Sequence, residues 1–219
     1  MGTCVLVIGK SGSGKSTSLR NFDKGEVGIF NVLGKPLPFR KKLDMCDKPN
    51  YAKAIATLGA NNMRAYVIDD STYFMQLENF ARADESGYKK YTDMAVNFER
   101  LMEAAMATDE DTIVYFMHHP QFSDDGSQRP QTVGKMIDNQ LCMEGLFPIV
   151  LESAVVEGRH VFVTKNNGMN IAKAPMGMFD EDAIDNDLKA VDSIIRDYWG
   201  MAPIVDPPAP AEVESGEAE

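Results

Sequence analysis

A short apolar run, Cys4-Val5-Leu6-Val7-Ile8, passes directly into Gly9-Lys10-Ser11-Gly12-Ser13-Gly14-Lys15-Ser16-Thr17. A β-branched run of this length ending in glycine suits a strand buried on both faces of a parallel sheet. The glycine-rich stretch predicts a tight loop, and residues 15–22 a first helix. Three further runs read as central strands: Val27-Gly28-Ile29-Phe30-Asn31-Val32, Arg64-Ala65-Tyr66-Val67-Ile68-Asp69 and Thr112-Ile113-Val114-Tyr115-Phe116-Met117. Helix-like stretches separate them. The clearest has Tyr91, Met94, Phe98, Leu101, Met102 and Ala105 at i, i+3, i+4 spacing. Such alternation predicts an α/β fold, a mostly parallel central sheet flanked by helices with right-handed crossovers.

Beyond residue 140 the pattern changes. Runs 146–152 and 159–164, joined by residues 153–158, predict a β-hairpin at the sheet's edge. Ile184, Leu188, Val191, Ile194, Ile195 and Tyr198 predict a last helix stopped by Gly200. The chain of 219 residues suits one domain, a core over 1–202, followed by a disordered acidic, proline-rich tail over 203–219. The formal charge is −11, and the tail holds five acids and no Lys or Arg, leaving −6 on residues 1–202. That balance argues against a general duplex-DNA or membrane binder, which needs many cations. Cys4, Cys46 and Cys142 are odd in number and widely spaced, suggesting neither a disulfide framework nor a zinc site. With no secretory leader and no long apolar run, a cytoplasmic protein is expected.

Gly9, Gly14, Lys15 and Ser16 satisfy the phosphate-loop pattern G-x-x-x-x-G-K-[ST] in the strand-to-helix context it requires. The pattern predicts ATP binding with Mg²⁺. Gly9, Gly12 and Gly14 let backbone N–H groups of the loop, from Lys10 through Ser11 and Ser13, converge on phosphate oxygens, with a helix N-terminus behind them. Lys15 is expected to reach the β- and γ-phosphates, Ser16 to offer its hydroxyl to Mg²⁺, and Thr17 to bond an α-phosphate oxygen. Asp69, at the end of another strand, is the candidate for the metal shell, through water. Asp70 could orient or deprotonate an attacking water, with a helix cap before Ser71 as the alternative for the acidic pair. His118 is the candidate γ-phosphate sensor at the end of the next strand, with an ordinary hydrogen-bonded loop histidine as the alternative.

These segments, taken in order from Val5 to Trp199, resemble the RecA-like recombination ATPases, and more closely the small phage-encoded members that anneal single-stranded DNA. The most specific element after the loop is Arg159-His160-Val161-Phe162-Val163-Thr164-Lys165-Asn166-Asn167. In the family a strand ending in Lys-Asn-Lys projects lysines onto the neighbouring subunit's γ-phosphate. The resemblance therefore implies a RecA-like P-loop core, a homo-oligomer (filament or ring) with shared ATP sites, and Lys165 acting in trans. The family's second lysine is replaced here by Asn167, so Lys173 becomes its candidate substitute. The family's glutamate after the second strand has no counterpart in Asn31-Val32-Leu33-Gly34-Lys35, which shifts the role of base to Asp70 or implies slow hydrolysis.

Two segments stand where the family has DNA-binding loops: 81–92, with Arg82, Tyr88, Lys89 and Lys90, and 120–135, with Phe122, Arg129 and Lys135. Cations that neutralise a backbone, beside aromatics that stack on bases, suit sequence-tolerant single-strand binding; ordinary solvated loops are the alternative. A third cationic patch, Lys35, Arg40, Lys41 and Lys42, reads as a solvated face or subunit contact. The resemblance thus implies an ATPase that binds single-stranded DNA and promotes annealing or strand pairing, with a single-strand-binding protein as a further candidate partner in the host cytoplasm. An ATP-driven assembly module with little hydrolysis and a small-molecule P-loop kinase are the other readings.

Overall fold

The structure, a computed structural model, describes residues 1–124, 126–134 and 142–205. Lys135 and residues 206–219 of the expected tail lie outside them. The chain folds as an α/β protein. Strands β1 (Thr3–Ile8), β2 (Gly28–Asn31), β3 (Asp44–Asp47), β4 (Ala65–Asp69), β5 (Ile113–His118), β8 (Ile149–Val156), β9 (Arg159–Val163) and β10 (Ala183–Asp185) form one sheet in the order β10-β9-β8-β1-β5-β4-β2-β3. The six strands from β8 to β3 run parallel; β9 alone runs against them, pairing antiparallel with both β8 and β10. A small separate hairpin pairs β6 (Pro120–Phe122) with β7 (Gln128–Pro130).

The central strands are apolar throughout because both faces are covered. Leu6, Ile8, Ile68 and Phe116 pack on one side with Ala54 and Leu58 of helix α1 (Tyr51–Ala60), Phe74 and Met75 of α2 (Thr72–Ala81), and Met94, Phe98 and Leu101 of α3 (Tyr88–Met106). Val5, Val7, Val67 and Tyr115, one residue out of phase, pack on the other side with Leu19, Phe22 and the Leu188, Val191 and Ile195 stripe of α4 (Leu188–Trp199). This split follows the two-residue period of a strand. Among the described residues no helix is long and apolar enough to cross a membrane.

Several boundaries differ from the sequence expectation. The helix expected over 15–22 is a six-residue 3-10 helix, Ser16–Asn21. Three residues per turn align Leu19 with Phe22, and both are fully buried against the sheet. The β8–β9 connection shrinks from six residues to the Glu157-Gly158 turn, with φ of 50° and 77°. Positive φ at both positions matches the right-handed twist of the flanking strands. Ile184 lies in β10 and outside the last helix, which starts only after Asp187, whose carboxylate accepts from the N–H groups of Lys189 and Ala190. That helix ends at Gly200 as expected. The outermost strand beyond the hairpin is β10, which pairs with β9. The expected loop at 81–92 is shorter, because α3 begins at Tyr88.

Candidate functional site

Parallel strands deliver their carboxyl ends to one rim. Register pairs Ile8 with His118 and with Glu152, and Asn31 with Asp69, so the segments after β1, β2, β4, β5 and within β8 meet at one level. Crevices at such rims are where open α/β sheets bind ligands. A pocket of about 310 Å³ lies there. Its walls are Ser11, Gly12, Gly14, Lys15, Ser16 and Thr17 on one side and Lys35, Asp69, Asp70, Tyr73 and His119 on the other, with His160 beside the loop. A larger hollow of about 890 Å³ includes Met1, Glu103, Asp109, Glu110 and Asp111, acids that would repel a phosphate.

The loop is fixed from below and from the hairpin side. Gly9 N–H donates to the His118 carbonyl at 3.1 Å, and the Ser13 and Ser153 hydroxyls lie 3.1 Å apart. His160 Nδ1–H donates to the Ser13 carbonyl at 2.8 Å. Gly14 has φ of 109°, and a Cβ there would come within 2.9 Å of His160 Nδ1, so only glycine fits without displacing the ring. Lys15 is buried and folds back over the loop, donating to the carbonyls of Gly9 at 2.6 Å and Lys10 at 3.1 Å. Burial lowers its pKa to about 8, against the pull of Asp70 and Asp69.

Ser16 Oγ lies 3.0 Å and 2.9 Å from the two carboxylate oxygens of Asp69. Burial and the neighbouring Asp70 raise the Asp69 pKa to about 6, with Ser16 and Lys15 opposing. A hydroxyl and a buried carboxylate in contact are donors that a small hard cation shares with phosphate oxygens and water. Among the described residues no group of three or more His, Cys, Asp or Glu is placed to hold a metal alone, so a cation here would need those additional oxygens.

Asp70 takes φ of 60°, a left-handed conformation that few carboxylates adopt. Its Oδ1 accepts from His119 Nε2–H and its Oδ2 from Lys35 Nζ, both at 3.2 Å. Burial works to raise its pKa, but hydrogen bonds from His119 and Lys35 outweigh this and hold it below the ordinary value. His118 does not line the pocket. It is fully buried, donating from Nε2 to the Gln131 carbonyl at 2.7 Å with Nδ1 2.8 Å from Ser71 Oγ, and burial lowers its pKa to about 4, so the ring is neutral. The side chain facing the pocket from this strand end is His119.

Compared with protein-family models and with curated proteins, the chain matches none.

The remaining candidates lie apart. Lys165 is half exposed and pairs with Asp182 at 2.7 Å, away from the pocket of its own chain. Lys173 is exposed, its backbone bridged to Val150 of β8, before the stretch of β8 that pairs with β9. Arg82 is engaged by Glu78, Glu85 and Asp93, and Lys89 by Asp93. Lys90, grouped with the cationic loop in the sequence, is instead buried, its ammonium on the Asn79 carbonyl at 3.0 Å. Tyr88 and Phe122 are exposed, and Lys10 Nζ sits 4.7 Å above the Phe122 ring centroid, joining the loop to the β6–β7 hairpin. Arg129 is half-buried in β7. Lys35, His119, Tyr73 and His160 were absent from the sequence-based pocket. The histidine pair's position after β5 was a usable signal; only the strand order brings Lys35 in.

Proposed function

We propose that this chain is a RecA-like P-loop ATPase that binds ATP with Mg²⁺ at residues 9–17 and assembles with further copies on single-stranded DNA, promoting annealing or strand pairing. The observation that carries the nucleotide reading is the Ser16–Asp69 contact beside Lys15, whose buried ammonium lies over the loop on the Gly9 carbonyl. Bound Mg·ATP supplies the transferable phosphoryl group and the metal's charge. Lys15 and the loop N–H groups hold phosphate oxygens, Ser16 and Asp69 hold the cation, and His160 keeps the loop in shape through Ser13. The DNA and assembly parts rest on the resemblance. They are supported by Lys165 and Lys173 lying outside their own chain's pocket, as groups serving a neighbour must, and by the exposed Tyr88 and Phe122. The cytoplasm is the corresponding site of action.

One observation favours a slower variant of the same reading. Asp69 and Asp70 are the carboxylates lining the pocket, and both are engaged: Asp69 with Ser16, Asp70 with Lys35 and His119. A carboxylate so paired is a weak general base. ATP would then drive assembly with little turnover. Phosphate release and retention of single-stranded DNA, measured with ATP and with a non-hydrolysable analogue, test both versions. Nucleotide-dependent DNA retention that Lys15→Met abolishes supports the proposal; DNA retention indifferent to nucleotide and to Lys15→Met contradicts it. Brisk DNA-stimulated phosphate release rules out the slower variant.

A further inference from the structure

Lys35 sits on a built support. Asn31, buried at the end of β2, accepts the Lys35 N–H on Oδ1 at 3.1 Å and donates from Nδ2 to the Lys35 carbonyl at 2.8 Å and to Asp47 Oδ1 at 2.7 Å. Gly34 turns the chain with φ of 65°, its N–H on the Asn31 carbonyl at 3.1 Å, and a Cβ there would meet the Lys48 stem at 2.7 Å. The backbone of Lys35 is thereby fixed, while its side chain is 62% exposed and reaches Asp70 in a contact of 3.2 Å. The Tyr73 ring lies 5.6 Å from the ammonium. An ion pair this open to solvent is worth little, and its cation is readily drawn to a stronger anion. In sheet order β2 stands three strands from β1, with β5 and β4, which ends at Asp69 just before Asp70, between them. Lys35 and Lys15 line the same pocket, Lys15 on the loop side and Lys35 beside Asp70.

We propose that Lys35 is the terminal-phosphate cation of this site, held on Asp70 until a nucleoside triphosphate supplies a more highly charged oxygen cluster. The inference rests on the nucleotide reading above and deepens it. A diphosphate ends short of Lys35, leaving the Lys35–Asp70 pair closed; a triphosphate opens it, leaving Asp70 with His119 alone. Discrimination between ATP and ADP is then built into one chain, on the side of the crevice formed by β2 and β4, independently of Lys165.

Calorimetric titration with Mg²⁺ and either ADP or a non-hydrolysable ATP analogue tests this on wild type, Lys35→Met, Asp70→Asn and the double variant. Methionine keeps the unbranched stem beside Tyr73 and removes only the charge. Lys35→Met is expected to cut the preference for the ATP analogue over ADP roughly tenfold, the scale of one charge-assisted hydrogen bond. Asp70→Asn is expected to tighten analogue binding only where Lys35 is present. A preference unchanged in Lys35→Met, or an equal effect of Asp70→Asn in both backgrounds, overturns the role of Lys35 while nucleotide binding stands. Wild-type protein that binds neither nucleotide overturns the nucleotide reading, and this inference with it.

Discussion

Lys15 carries the clearest electrostatic signature in the chain. Its ammonium is buried against two neutral carbonyls, and that burial lowers its pKa to about 8 despite two nearby aspartates. A bound phosphate must raise that pKa, so binding is coupled to keeping the proton on. The direction follows from linkage: affinity is full below pH 8, where the free protein already carries the proton, and falls as pH rises above it, by up to about tenfold per pH unit. Titrating an ATP analogue between pH 7 and pH 9.5 should show this alkaline limb, and an affinity flat to pH 9.5 would contradict it. His118 shows the opposite use of burial, since a ring held neutral between Ser71 and Gln131 serves the strand end and leaves the pocket wall to His119.

At the scale of elements, α4 is fastened to the sheet opposite the pocket. Tyr115 donates to Asp192 at 2.9 Å, Asp192 accepts from Arg196, and Arg196 donates to the carbonyls of Arg64, Asp111 and Ala202. Removing one partner of a buried pair strands the other, at about 3–5 kcal/mol. Arg196→Ala should lower unfolding stability by that order in chemical denaturation, and a loss below about 1 kcal/mol would show that the network is dispensable. Elements buried on both faces were legible in the sequence: β1, β4 and β5 are apolar runs, and the stripe of α3 marked its inner side. By contrast, β3 reads Asp44-Met45-Cys46-Asp47, an edge strand with acidic ends and no apolar run to reveal it. Ile184 falls in phase with the apolar stripe of α4 but lies in β10, because Asp187 caps the helix between them.

Across the whole molecule, the site divides along the same line. That the loop 9–17, Ser16 and Asp69 meet at one rim of the sheet was legible because a glycine-rich loop after one strand and a carboxylate ending another are local patterns. Lys35 was not, because its place depends on β2 lying beside β4, a consequence of chain topology that no local window contains. Lys90 read as a surface cation because its burial is set by the packing of α3 on the end of α2. Assembly belongs to this scale too. If Lys165 serves the neighbouring nucleotide, Lys165→Ala should reduce phosphate release and nucleotide-dependent oligomerisation while leaving nucleotide affinity of the isolated chain intact; ATPase rate and assembly at wild-type levels would refute the trans role.

The most direct test of the central claim is Asp69→Asn, followed by thermal unfolding and by Mg²⁺-dependent binding of an ATP analogue. The folded-state pKa of Asp69 is raised from 3.8 to about 6, so the stability it contributes is full below 3.8 and lost as pH rises through 6. At about 1.4 kcal/mol per pH unit this is on the order of 3 kcal/mol at neutral pH, a cost that neutral asparagine avoids. The variant should therefore unfold at higher temperature at pH 7.5 than wild type and yet lose the Mg²⁺-dependent part of nucleotide binding. Mg²⁺-dependent affinity equal to wild type would contradict a metal–nucleotide site at Ser16 and Asp69.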